Sequence, residues 1–177
     1  MKYLLSLFSL SLCIFQIKSN NAEKIKTFAE SKVGCGYVWG ALGQKLTPNV
    51  LKALVAKHGR DKVKENIAKK WFGKQCYDCA GLVAKAFNTI GLKLRTGAHL
   101  AWVYTKWAQK GEITNLPKDK VCILYSSHKK KGKMGHTGIY LGNGYFVHAK
   151  GTAEGVKKEN FSQYTYWTNW GIPEGLY

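Results

Sequence analysis

GHTGIYLGNGYFVHAKG, residues 135–151, sets two apolar runs either side of Gly142-Asn143-Gly144. That is the composition of a β-hairpin carrying one histidine in each arm. Its loop length decides what the histidines can do. A two-residue Asn-Gly turn would pair Gly142 with Tyr145 and send His136 and His148 to opposite faces. A three-residue loop over Gly142, Asn143 and Gly144, with Gly144 left-handed, pairs Leu141 with Tyr145 instead. Gly138 then sits opposite His148, and His136 lies diagonally on the same face. Ile139, Leu141 and Val147 turn together to the other side, where a core can take them. The three-residue loop satisfies packing and chemistry together, and it is the register expected.

Some fifty residues upstream lies CYDCAGLVAKAF, residues 76–87. Leu82, Val83, Ala86, Phe87 and Ile90 recur at helical spacing, so a helix is expected from Cys79, with Gly91 as its C-cap. A thiol at a helix N-terminus facing two imidazoles on a sheet is an arrangement for nucleophilic catalysis. In that chemistry Cys79 is the nucleophile, acidified from ~8.5 by the helix terminus and a nearby imidazolium. His136 is the general base and then the acid for the leaving amine. His148 holds the His136 ring in its working tautomer. The Cys79 backbone N–H and the Tyr37 phenol are candidates for stabilising the oxyanion.

Further helices are expected over Ala22–Lys32, from Pro48 behind a Thr47 cap to Gly59, from Asp61 to Trp71, and over Leu100–Lys110 up to Gly111. After Pro117 the apolar period changes. Val121–Tyr125 reads as a strand, the histidine hairpin adds two, and Tyr164–Trp170 reads as a last aromatic strand. Helices first and strands later argue for an α+β fold, N-terminal helices packed on a C-terminal antiparallel β-sheet. No internal repeat or linker divides the chain, so residues 22–177 are expected to form a single domain.

The chain has 177 residues, enough for one core. Its start, MKYLLSLFSLSLCIFQIKSN, has a basic residue, an apolar run to Ile17 and then polar residues. Residues 1–19 therefore read as a secretory signal peptide, and secretion is expected. The formal net charge is +18, or about +16 once Lys2 and Lys18 leave with the signal. Such a charge attracts nucleic acid, anionic lipid or acidic wall polymers without choosing among them. Its densest run, Lys129–Lys133, precedes His136 and reads equally as a cleft flank or a solvated loop. The processed chain keeps Cys35, Cys76, Cys79 and Cys122. With Cys79 free, at most one disulfide fits, and its partners stay open.

Several of these segments resemble the NlpC-like family of cell-wall cysteine peptidases, distant relatives of papain in fold. Tyr37-Val38-Trp39-Gly40 is similar to the family's YVWG segment. Asp78-Cys79-Ala80-Gly81-Leu82-Val83 is similar to its D-C-S-G-L-V motif. Gly135-His136-Thr137-Gly138-Ile139-Tyr140 is similar to its GHVGIY strand, with the second histidine twelve residues on. The resemblance covers roughly Ala22 to Pro173. It implies a papain-like fold and hydrolysis of an amide in the peptidoglycan stem peptide, most often the bond from γ-D-glutamate to a diamino acid. It also implies that Tyr37 and Asp78 help bind substrate and that His148 is the third catalytic member. Three departures stand out: Ala80 replaces the usual serine, Gly36 stands where proline is common, and a two-helix insertion at about 47–72 lengthens a connection.

Other readings compete. Cys76, Cys79, His136 and His148 could form a zinc set, but no second CxxC supports one. A Cys76–Cys79 disulfide that silences the enzyme is a minor alternative. His58, His99 and His128 have no such company and receive no role. Trp71, Trp102, Trp107, Trp167 and Trp170 read as core or cleft walls. An amidase cutting between sugar and peptide, or a thioester acyltransferase, would use the same scaffold. A basic surface-binding protein without activity would leave the cysteine and histidines unexplained. The expected partner is peptidoglycan or its muropeptides, bound by a monomer with no cofactor, no metal, no specific nucleic acid and no membrane once the signal is removed.

Overall fold

A computed structural model describes residues 20–127 and 132–177. The expected signal peptide, His128 and Lys129–Lys131 lie outside them. The first described segment, residues 20–31, is helical (α1). Gly36–Tyr37 (β1) and Leu42–Lys45 (β2) follow, then helix Pro48–His58 (α2). Thr47 caps α2 by accepting from the Val50 N–H at 3.2 Å, and Gly59 ends it with φ 87°. The local signals there were sufficient.

The helix expected from Asp61 to Trp71 is instead two short pieces, Arg60–Val63 (α3) and Glu65–Ala68 (α4). Lys64 divides them in the left-handed region at φ 52°, a costly conformation for a side chain with a Cβ. After a 3₁₀ turn at Lys69–Trp71, strand Gln75–Tyr77 (β3) enters a small sheet ordered β1-β3-β2. The sequence reading had no strand there.

Helix Cys79–Asn88 (α5) begins where expected and ends at Thr89, short of Gly91. Helix Ala98–Tyr104 (α6) is shorter than expected. Trp107–Lys110, read as the end of that helix, belongs instead to strand Trp107–Glu112 (β4). Strands Val121–Ser127 (β5), Met134–Leu141 (β6), Tyr145–Gly151 (β7), Gly155–Asn160 (β8) and Asn169–Pro173 (β9) complete a six-stranded antiparallel sheet ordered β4-β9-β5-β6-β7-β8. The last strand starts five residues later than Tyr164, leaving Tyr164, Tyr166 and Trp167 in a loop against the sheet.

Two apolar cores result. In the larger, Ile25 and Ala29 of α1 and Leu82, Val83, Ala86 and Phe87 of α5 pack on Ile123, Ile139, Leu141 and Val147 of the sheet. In the smaller, Leu51 and Leu54 of α2, with Val63, Ala68 and Trp71, cover Val38, Ala41 and Cys76 beside the small sheet. The molecule is α+β, with helices on an antiparallel sheet. No helix among the described residues is long and apolar enough to cross a membrane.

Candidate active site

The hairpin register is the one that brings the histidines together. Ile139 pairs with Val147 and Tyr140 with Phe146, which sets Gly138 against His148. Both Gly142 and Gly144 take positive φ, at 76° and 84°, and make the three-residue loop. His136 Nε2 then lies 2.9 Å from His148 Nδ1. A methyl group added at Gly138 would lie 3.0 Å from His148 Cβ and 3.1 Å from the Trp167 ring, so the glycine makes room for the second imidazole. Trp167, buried, stacks on His136 with ring centres 5.5 Å apart and planes at 19°.

Cys79 opens α5, and Asp78 is its N-cap. Asp78 Oδ1 accepts from the Gly81 N–H at 2.6 Å and Oδ2 from the Gly40 N–H at 2.9 Å. This carboxylate ties the helix start to the loop after Tyr37, so Tyr37, Asp78 and Cys79 reach one cavity. That cavity, about 460 Å³, is walled by Tyr37, Trp39, Cys79, His99, Leu100 and Lys133, among others. Ala80 also lines it.

The thiol is not acidified as expected. Burial pushes Cys79 up to about 12, with the Asp78 carboxylate adding to the effect. The backbone N–H groups of Thr137, Ala80 and Cys79 itself act against it. The Thr137 contact places the sulfur beside the residue that follows His136. Burial also drives His136 down to about 3, assisted by His148. With the thiol raised and the imidazole lowered, Cys79 rests as a neutral thiol and His136 as a neutral imidazole. Burial raises the Tyr37 phenol well above its ordinary value, so it stays a proton donor. Burial raises Asp78 too, with the two backbone hydrogen bonds opposing.

Cys76 does not join Cys79. Its sulfur lies in the smaller core, 3.7 Å from the Lys74 carbonyl, and Cys35, Cys76, Cys79 and Cys122 are all free thiols. The weighed set of Cys76, Cys79, His136 and His148 is thus not assembled. Among the described residues no group of three or more His, Cys, Asp or Glu side chains is placed to hold a metal.

Three residues near the site had no role in the sequence reading. His99 lines the cavity, and its Nδ1 is buried with no hydrogen-bond partner among the described residues. His58, the last residue of α2, lies so close over Gly40 that a methyl group there would meet its Nε2 at 2.4 Å. Glu159 of β8 accepts from His148 Nε2 at 2.7 Å. Its signal was weak because it pairs with Phe146 and reaches His148 only diagonally across two strands.

A helix opened by a cysteine, packed on an antiparallel sheet that carries the paired histidines, is the architecture of papain-like domains. The profile of the NlpC/P60 family matches residues 34–172. The chain belongs to the NlpC/P60 family. Among solved structures it is similar to NlpC1 from Trichomonas vaginalis, with TM-score 0.57 and 20% identity over 87% of this chain and 44% of that one. It is also similar to the P60 domain of an antigen from M. avium subspecies paratuberculosis, with TM-score 0.58 and 17% identity over 88% and 96%. A third is the peptidoglycan hydrolase RipB from Mycobacterium tuberculosis, with TM-score 0.55 and 18% identity over 85% and 64%. At these identities the likeness is one of fold, and the chain spans less than half of the Trichomonas protein. No curated protein matched the sequence.

Proposed function

We propose that this chain is a secreted cysteine peptidase that hydrolyses an amide in the stem peptide of peptidoglycan, the γ-D-glutamyl bond to a diamino acid being the expected one. Membership of the NlpC/P60 family and likeness to a peptidoglycan hydrolase support the substrate class. The apolar N-terminal segment supports secretion, and the net charge of +18 suits an anionic wall polymer. The observation that carries the reading is the cavity lined by Cys79 and by Gly135, the residue before His136, which is itself hydrogen-bonded to His148.

Substrate lies in the cavity with its scissile carbonyl over Cys79. His136 withdraws the thiol proton as the sulfur attacks, so charge forms only as the bond forms. The Cys79 backbone N–H and the Tyr37 phenol face the developing oxyanion. His136 returns the proton to the leaving amine, and a thioester remains on Cys79. Water, deprotonated by His136, then hydrolyses the thioester and restores the thiol. His148 keeps the His136 ring in place through both halves. Asp78 holds the helix start and the Tyr37 loop in one frame.

Mass spectrometry of purified peptidoglycan incubated with the protein, beside a Cys79→Ala control, tests this. Fragments released by the wild type alone are expected, and their masses name the bond. Equal release by Cys79→Ala, or none from any wall type under reducing conditions, would overturn the reading.

A further inference from the structure

His148 is buried, and each of its ring nitrogens faces a different neighbour. Nε2 faces Glu159 Oε2 at 2.7 Å, and Nδ1 faces His136 Nε2 at 2.9 Å. The other Glu159 oxygen takes Lys150 Nζ at 3.0 Å and the Tyr164 hydroxyl. Burial works against ionising Glu159, but the hydrogen bonds from Tyr164, Lys150 and His148 outweigh it, so its carboxyl is held below the usual range. An ionised carboxylate can only accept. His148 must therefore carry a proton on Nε2.

The ring is otherwise unprotonated, since burial lowers His148 more than Glu159 raises it. Its Nδ1 is then bare and accepts. The contact with His136 needs one donor, so the His136 proton sits on Nε2. A neutral His136 with its proton on Nε2 has only Nδ1 left as a base. The Tyr166 hydroxyl, 3.3 Å from His148 Nδ1, donates to the same bare nitrogen over a longer path. Phe146, Tyr164 and Trp167 pack edge-on around the His148 ring and keep it from turning over.

We propose that Glu159 is a positioning residue that sets the tautomers of both histidines in series, leaving His136 Nδ1 as the nitrogen that takes the Cys79 proton. The inference rests on the reading of Cys79 as nucleophile and His136 as base. Without the carboxylate, His148 is free to protonate at Nδ1. It would then present a donor to His136, turn that ring's proton to the wrong nitrogen and remove the base. When His136 takes the thiol proton, its Nε2–H still donates to His148, and the carboxylate offsets the new positive charge through one intervening ring.

Two variants test this: Glu159→Leu, which removes the acceptor, and Glu159→Gln, which keeps a carbonyl oxygen. Nitrogen-15 spectra of the imidazoles should show His136 and His148 both protonated at Nε2 in the wild type. Glu159→Leu should lose that state at His148 and lower kcat by about ten- to hundredfold with KM little changed. Glu159→Gln should recover part of both. A wild-type His148 protonated at Nδ1 overturns the proposal. So does a Glu159→Leu protein with unchanged tautomers, whether kcat is kept or falls only in step with melting temperature. The spectra need no substrate. A wild-type protein that cuts no wall peptide would therefore defeat the peptidase reading while the tautomer result still stands.

Discussion

Trp71 packs directly on Gly36. A methyl group added at Gly36 would lie 2.7 Å from Trp71 Cγ and 2.6 Å from Cys76 Sγ. Trp71 ends the 3₁₀ turn between β2 and β3, and its Nε1 donates to the Thr152 carbonyl at 2.7 Å, so its position is set from both sides. The segment between β2 and β3 thus brings an indole against Gly36, where a side chain would collide with it.

Gly36→Ala should destabilise the protein by about 1–3 kcal/mol through overpacking. The cost should shrink when the same change is made beside Trp71→Leu. A urea double-mutant cycle measures the coupling. Additive costs would mean that the two residues do not share the space.

Gly138→Ala should damage activity more than stability. Its methyl group would meet His148 Cβ and Trp167 at about 3 Å and shift the rings by a few tenths of an ångström. A fall in kcat of tenfold or more is expected, since small misplacements of catalytic groups are costly. Paired kinetics and melting curves check it. A variant that melts earlier yet keeps kcat would contradict the placement of His148.

Cys79 alkylation should rise steadily with pH, without a reactive plateau in acid. Burial pushes the thiol up to about 12 and His136 down to about 3, so the neutral pair holds between those values. A preformed thiolate–imidazolium pair would instead keep Cys79 reactive well below neutral pH. Iodoacetamide rates across pH, corrected with Cys79→Ala for the half-buried Cys35, distinguish the two.

Acid should weaken the fold through His136. Its folded pKa is depressed to about 3 from an ordinary 6.5, so the unfolded chain takes up the proton first. The stability from keeping it neutral is whole above about 6.5 and is lost as pH falls towards 3. Melting temperature should therefore drop more steeply over that window in the wild type than in His136→Asn. Parallel curves would show that His136 is not held neutral by burial. Asp78, raised by burial, acts in the opposite direction at the acid end, and the comparison between proteins removes it.

The hairpin, α5 and the capped start of α2 were legible because each is specified by neighbours in the chain. The loop glycines, the Asp78 and Thr47 caps and the apolar stripe of α5 need no distant partner. Trp107–Lys110 was misread as helix because the partner of β4 is β9, some sixty residues on, and no local pattern announces that pairing. Tyr164–Trp167 looks like a strand from its aromatics, yet these side chains are spent on covering the histidines. That His136 and His148 share a face was legible from the length of the hairpin loop. Glu159 was missed because a diagonal contact across β7 and β8 leaves no period in the sequence. The thiol's charge state was misjudged because burial outweighs a helix terminus, and burial is a property of the assembled fold.

The tip of the β6–β7 hairpin lies roughly 20 Å from His136 at the rise of an extended strand. It lines no part of the cavity, yet it acts as a spacer that indexes both histidines. One codon gained or lost among Gly142, Asn143 and Gly144 would turn every later side chain of β7 to the opposite face and carry His148 away from its partner. The cleft would look intact and every functional residue would still be encoded. Insertions and deletions at this remote turn should thus silence the protein as surely as loss of Cys79.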